Sequence, residues 1–472
     1  MFPRALDRSR ADADGRWLFG LFALLFALAL ILHQLWWDGF EVFSPHFLVI
    51  LAALTVVFRP TSVVRFLIML AAEVLAVGID MPGVGSHTLL VLVLGACVLA
   101  YAAATTLRHR QLPGPAALFA RSAPFLRVSL LLVYVSAAVA KMNTGFLDPA
   151  YSCAVPLSAR VAWFDPSLLD WSWRVGPAIW GTVAIELALP MLLAVPRTRM
   201  LGLAVGGTFH AVLALAGNVP FSALALALYV AFLPGDTPAR VRAVVAQRPG
   251  LGVWARRVRG WAGARAAFPI AVAGWLACAA AFSAEPGTGR ELIANGTRLV
   301  VVALVLAAGV LAVLCRAQGG PTIHPARSLR LGHPAFAVGI GLLVLNSLSP
   351  YLGLKTESSF TMFANLKTEG PYWNHVFIPE AFKVFPYQDQ LVRVTDSNDP
   401  VLEQRTRGGA LLVRFELERY LRLRPSTTAT VVEVDGGEET ARPTRISAAA
   451  LPATPLLDKV AKFRDVRPPR GC

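Results

Sequence analysis

One lysine, Lys141, stands in the first 354 residues, at the end of the apolar run SAPFLRVSLLLVYVSAAVAK. A desolvated amine can shed its proton and act as a base, whereas an arginine in the same place stays charged. The residue is equally at home as a snorkelling cation, its stem on apolar surface and its head in water. Other polar groups interrupt apolar runs as well: Glu73, His87, Asn143, Glu186, His210 and Asn218, with Tyr134 and Ser136 one or two turns before the lysine. Each is costly in hydrocarbon and needs a partner or a task. Singly, such a histidine or glutamate is a satisfied structural group more often than a catalyst. Together, an amine, two imidazoles, a carboxylate and a phenol are the parts that acid–base chemistry on a hydroxyl requires.

The elements that must position them are helices in a membrane. Hydrophobic residues make up 56% of the 472 and charged residues only 15%, with a mean hydropathy of +0.57, which is the composition of a polytopic membrane protein. Apolar windows run over 17–37, 46–58, 62–79, 88–106, 122–142, 175–195, 200–216, 219–233, 267–284, 298–315 and 334–349. The expected fold is therefore an all-α bundle of about 11 transmembrane helices, some of them short, tilted or re-entrant. The formal charge of +15 does not indicate nucleic acid. Of the 44 basic and 29 acidic residues, 27 and 14 precede Pro350, and that excess sits in short loops where it sets topology and meets anionic lipid. Arginine greatly outnumbers lysine, the bias of a GC-rich bacterial genome.

The loops alternate. Arginines cluster before the first window (Arg4, Arg8, Arg10, Arg16), at Arg59 and Arg65, at Arg108 and Arg110, at Arg197 and Arg199, from Arg240 to Arg259, and from Arg316 to Arg330. Connections around Asp38 to Glu41, Asp80 to Ser86 and Asp148 to Asp170 are acidic or nearly neutral. One orientation satisfies all of them: a multi-pass protein of the cell membrane with a cytoplasmic amino terminus and an extracytoplasmic carboxy-terminal region. The first apolar run, without a small-residue cleavage site, reads as a retained anchor. His87, Lys141 and Asn218 then lie toward the outer face, with Glu186 and His210 nearer mid-membrane on antiparallel neighbours joined by the PRTR turn.

Three parts follow: residues 1–235, a bundle carrying the polar groups; 236–349, a basic cytoplasmic loop and three further spans; and 350–472, a small, mostly-β extracytoplasmic domain with alternating runs such as QLVRVTD, ALLVRFELERYLRL and ATVVEVDG and a disordered tail. The aromatic stretch from Tyr351 to Glu380, with Lys355, Lys367, His375, Asn365 and Asn374, reads either as an interfacial belt or as a lid over the mouth near Lys141 and His87. The five cysteines show no metal-ligand spacing, and HExxH, Walker, GxGxxG and GxSxG motifs are absent, so no metal is expected. Cys153 and Cys472 would share the oxidising side, where a disulfide between them is an open option.

The segment VSAAVAKMNTGFLDP, followed by IELALPMLLAVPRTRMLGLAVGGTFHAVLALAGNVPFSALALALYVAFLP, resembles the horizontally transferred transmembrane domain shared with vitamin K-dependent gamma-carboxylase. The matching features are Val139 to Asn143, where the family has a G-x-K-K-L-like element; Glu186; Arg197 to Arg199; Phe209 with His210; Gly217 with Asn218; Pro234; and Ser86 to Leu90, where the family has N-H-x-Y-L. The likeness spans roughly residues 15–235. It implies Lys141 as the base toward a reduced quinone, menaquinol or vitamin K-like, with His87 and His210 assisting and Glu186, Asn143, Asn218 and Tyr134 lining the quinol pocket. The implied reaction is quinol epoxidation coupled to carboxylation. The chain departs from the family in having one lysine where two are common, Val139 in place of the glycine, no large propeptide-binding insertion and a shorter carboxy-terminal domain.

Two readings of different class stand side by side. One is a quinol-dependent membrane enzyme with its site at the outer face, acting on a peptide or protein substrate there. The other is a non-enzymatic scaffold or binding protein of an export or immunity type that uses the exterior domain.

Overall fold

All eleven apolar windows are mainly helical over their described residues. The computed structural model describes residues 2–36, 44–170, 172–263, 266–284, 288–317, 329–435, 438–439 and 442–467. Asp38 to Glu41, Arg327 and Cys472 lie outside the described residues, and of Arg4, Arg8 and Arg259 only the backbone is described. The bundle helices are α1 (Phe2–Trp36), α2 (Pro45–Phe58), α3 (Val63–Asp80), α4 (Ser86–His109) and α5 (Pro115–Ala140). Two short turns, α6 (Thr144–Leu147) and α7 (Ala154–Ala159), lead through 3-10 segments to a π turn at Pro177–Gly181 that runs into α8 (Thr182–Ala194). Then come α9 (Arg199–Leu215), α10 (Val219–Tyr229), α11 (Thr237–Ala246), α12 (Pro249–Gly263), α13 (Ala267–Ala284), α14 (Thr288–Arg316) and α15 (Pro334–Leu352).

Among the described residues six helical stretches are long and apolar enough to cross a membrane: Ser9–Trp36, Ser86–His109, Pro115–Ala140, Ser172–Ala194, Glu291–Arg316 and Pro334–Leu352. A seventh pair, Val219–Phe232 and Thr237–Ala246, is bent by 99°. The expected eleven are thus six of full length, this bent pair, and shorter or more charged helices. Helix α3, for example, carries Arg65, Glu73 and Asp80 within its 18 residues. The surface has the pattern of a chain dissolved in lipid: Val64, Ile68, Leu75 and Ile79 form an exposed apolar stripe on α3, as do Leu306, Val310 and Val313 on α14.

Helix α1 is central, packed by α10, α5 and α2, while α8 and α9 close the other side of α5. Phe19, Phe22, Phe26, Phe66 and Phe119 interlock there, with Phe19 and Phe66 edge to face at 5.4 Å. The α8–α9 turn is tied by its own arginine, since fully buried Arg199 donates to the carbonyls of Leu193 and Ala194 that end α8.

After α15 the chain is irregular to residue 390 and then forms a small antiparallel sheet with three helices: β1 (Leu391–Ser397), α16 (Pro400–Thr406), β2 (Leu412–Val413), α17 (Arg414–Leu423), β3 (Thr428–Asp435), β4 (Glu438–Glu439), β5 (Thr444–Ser447) and α18 (Pro455–Val460). The order is β2-β1-β3-β4, with β5 also on β3. The expectation of a mostly-β domain is corrected here. The run ALLVRFELERYLRL gives two strand residues and then a helix, because Leu417, Tyr420 and Leu421 are buried at helical spacing. Glu416, also buried on that helix, is held by Arg405 and Arg419.

Candidate active site

Lys141 caps α5, its backbone N–H donating to the carbonyls of Ala137 and Ala138. Its Nζ lies 2.9 Å from Oε2 and 3.1 Å from Oε1 of Glu186 on α8. The hydrogen bond is directed at Oε1; Oε2, although nearer, receives no donor. Nζ also donates to the carbonyl of Met362 at 3.5 Å and stands 5.7 Å from the centre of the Phe146 ring. A snorkelling lysine keeps its ammonium in water, and at 4% exposure this one does not.

The pair faces a partly open cavity of about 690 Å³ lined by α4, α5, α8, α9, α10 and the segment after α15. Its wall is mainly apolar, with Leu90, Val133, Ile185, Val205, Phe209 and Phe221. The polar groups in that wall include Lys141, Glu186, Tyr134, His87 and Asn218. Five of the seven residues to which the resemblance gives a role therefore line one space. His210 stands one bond behind: its Nε2 is 2.6 Å from Tyr134 Oη, which is 2.5 Å from Tyr229 Oη, and its Nδ1 is 3.3 Å from Ser222 Oγ. Gly206 makes this possible, since a β-carbon there would overlap the Tyr229 hydroxyl.

Asn143 is not in the cavity wall. It is fully buried behind it, donating to the carbonyls of Ala140 (2.7 Å) and Ala364 (2.5 Å) and accepting from Phe146 N–H and Asn374 Nδ2. Its role is to fasten the end of α5 to the segment expected as a belt or a lid. That segment is folded over the site. Thr144 N–H donates to Asn374 O, Val376 N–H to Met142 O, and His375 Nε2 to Val139 O at 3.0 Å. Phe360, Met362 and Phe363 line the cavity from it. His375 Nδ1 accepts from the N–H groups of Phe377 and Ile378, so its proton is on Nε2. Burial lowers its pKa and keeps it neutral, opposed in part by the Val139 carbonyl.

Sequence reasoning passed over His33, whose Nδ1 is 3.0 Å from His87 Nε2. The signal was available, since His33 lies inside the first apolar window and carries the same cost as the residues that were named. Cys97, Cys278 and Cys315 are free, whereas Cys153 is disulfide-bonded; Cys472, the partner considered for it, lies outside the described residues. No group of three or more potential metal ligands occurs among the described residues.

The chain matches no protein-family model, no curated protein and no solved structure.

Proposed function

We infer that this protein is a membrane enzyme that binds a lipid-soluble quinol in the cavity and removes a hydroxyl proton from it, in the manner of the quinol-dependent carboxylase that residues 15–235 resemble. The observation that carries the reading is the pairing of a buried Lys141–Glu186 couple, hydrogen-bonded through Oε1, with a large apolar cavity. The residues fit a prenyl-type quinol. The apolar wall takes a ring and tail, and Glu186 Oε2, buried without a donor, is an acceptor for a hydroxyl.

Bound there, a reduced quinone would supply the electrons and the hydroxyl for its epoxidation by dioxygen, to which addition of CO2 to a substrate would be coupled. The chain's own groups do the rest. Glu186 Oε2 accepts the proton, and Lys141 holds the carboxylate in place, so that the base is the pair and not the amine alone. Tyr134 offers a hydrogen bond to the oxygen that loses the proton, with His210 and Tyr229 orienting the phenol, and His87 lines the same wall as a proton acceptor. Phe360, Met362 and Phe363 keep water out. On the orientation argued from the loops, the site opens at the outer membrane face, and the 391–467 unit stands beside it to receive a peptide or protein.

The scaffold reading has one observation in its favour: Lys141 already bonds Glu186 and the lid carbonyl of Met362, as a purely structural clamp would. Extraction of the purified protein tests the choice. Quinone should co-purify with wild type and be depleted in Val205→Trp, which narrows the cavity; Glu186→Gln should still bind quinone yet lose any quinol-dependent turnover, because an amide cannot take up the proton. Absence of quinone, together with no binding of added menaquinone, would refute the enzyme reading.

A further inference from the structure

Glu73 is a buried carboxyl group that the proposed chemistry does not use. It projects from α3 at 1% exposure, and its Oε2 has no hydrogen-bond partner. Beside it lies a second, small cavity of about 10 Å³, lined by Glu73, His33, His87, Thr88 and apolar side chains. That is the least space that admits one water, about 10–15 Å³. Thr88 Oγ1 is likewise buried and unpartnered, so a water there has a carboxyl, a hydroxyl and imidazoles around it, which meets the requirement for two to four polar partners.

His87 lines both cavities, and its Nε2 is within 3.0 Å of His33 Nδ1. One residue along α1, Gln34 Nε2 donates to His46 Nδ1 at 2.9 Å, and His46 Nε2 meets Asp80 Oδ2 at 2.6 Å on the exposed end of α3. The titratable groups near the histidine pair are therefore Glu73 and Asp80 from α3 and His46 from α2, while α10 contributes only the apolar Pro220 and Leu224.

We propose that Glu73, His33 and His87 share a mobile proton through a water seated in the small cavity, and so form a proton store that takes protons from the large cavity and returns them to it. A proton taken at His87 Nδ1 lets the Nε2 proton pass to His33 Nδ1, and Glu73 receives the excess or supplies the deficit through the water. Each transfer conserves protons and moves no electrons. Only the origin of the proton rests on the quinol reading.

Infrared spectroscopy of the full chain in lipid nanodiscs, transferred from H2O to D2O between about pH 5 and 8, tests the relay in the range where histidines exchange charge. A protonated carboxyl band should be present, be assigned to Glu73 by its loss in Glu73→Gln, and exchange promptly. In His33→Gln and in Thr88→Val its exchange should slow by about tenfold or more, the cost of one lost transfer step. If His33→Gln does not fold, Thr88→Val, which deletes a hydroxyl alone, decides. Unchanged exchange in the folded variants, or no Glu73 band anywhere in that range, overturns the relay. Menadione binding, read by tryptophan quenching on the same samples, is a separate arm. An intact relay in a protein that binds no menadione removes the quinol reading and leaves the relay standing.

Discussion

Replacing Glu186 by Gln deletes the charge 2.9 Å from Lys141 Nζ and nearly preserves the shape. Both partners are almost wholly buried, at 4% and 7% exposure, so neither gains much from water. At that separation and an effective dielectric of about 20 the attraction is about 6 kcal/mol. Desolvation of each ion costs several kcal/mol, so the intact pair is close to neutral in its net effect on stability. Removing one partner is different, because it leaves a buried ammonium alone, at about 3–5 kcal/mol. The lower end is expected, since Lys141 also has the Met362 carbonyl and can release its proton where arginine could not. Glu186→Gln should therefore lose about 3 kcal/mol in equilibrium unfolding at neutral pH, and part of that should return in alkali, where a neutral amine leaves no buried charge. The double variant Lys141→Met/Glu186→Leu should recover to within about 1 kcal/mol of wild type, about 2 kcal/mol more stable than the single variant. A single variant as stable as wild type would mean that the pair is solvated and the cavity wet. The proton-acceptor argument, which depends on a dry site, would then fail. A double variant no better than the single would show that the loss came from packing and not from charge.

Three further outcomes are expected. A β-carbon at Gly145 would lie 3.3 Å from Cβ of Asn365, close to the spacing of about 3.5–4.5 Å in disulfides, so Gly145→Cys/Asn365→Cys should cross-link on mild oxidation while Gly145→Cys with lipid-facing Val338→Cys should not; failure of the first pair would remove the lid. Burial drops Lys355 from the ordinary 10.5 to about 8 despite nearby Glu357; the unfolded chain then binds more protons between those values, so stability should rise from pH 8 toward 10.5, and Lys355→Met should flatten the rise, whereas a fall would contradict the burial. Cysteines at Asp165 and Asp396 should label from outside intact cells and one at Arg248 only after permeabilisation, and external labelling at 248 would reverse the orientation.

The cost of polar atoms in apolar helices made the site legible. Lys141, Glu186, His87, Tyr134 and Asn218 were singled out because hydrocarbon penalises them, and that penalty is relieved by bringing such groups together, so these five line one cavity, whereas Glu73, Ser136, Asn143 and His210, marked by the same argument, do not. The same argument does not say who meets whom. Glu186 lies 45 residues after Lys141 and Met362 lies 221 after it, and nothing in local pattern encodes those separations. Asn143 shows the limit from the other side: an amide beside a candidate base looks like part of a pocket, yet all four of its bonds go to backbone or to another amide, and it holds the lid. Helix α17 shows where pattern itself misleads, because VRFELERYL satisfies a two-residue and a 3.6-residue period over its first few positions, and only the burial of Leu417, Tyr420 and Leu421 against the sheet selects the helix. Polar cost thus locates the chemistry in a membrane chain, while tertiary packing decides which of the located groups touch a substrate and which hold the wall.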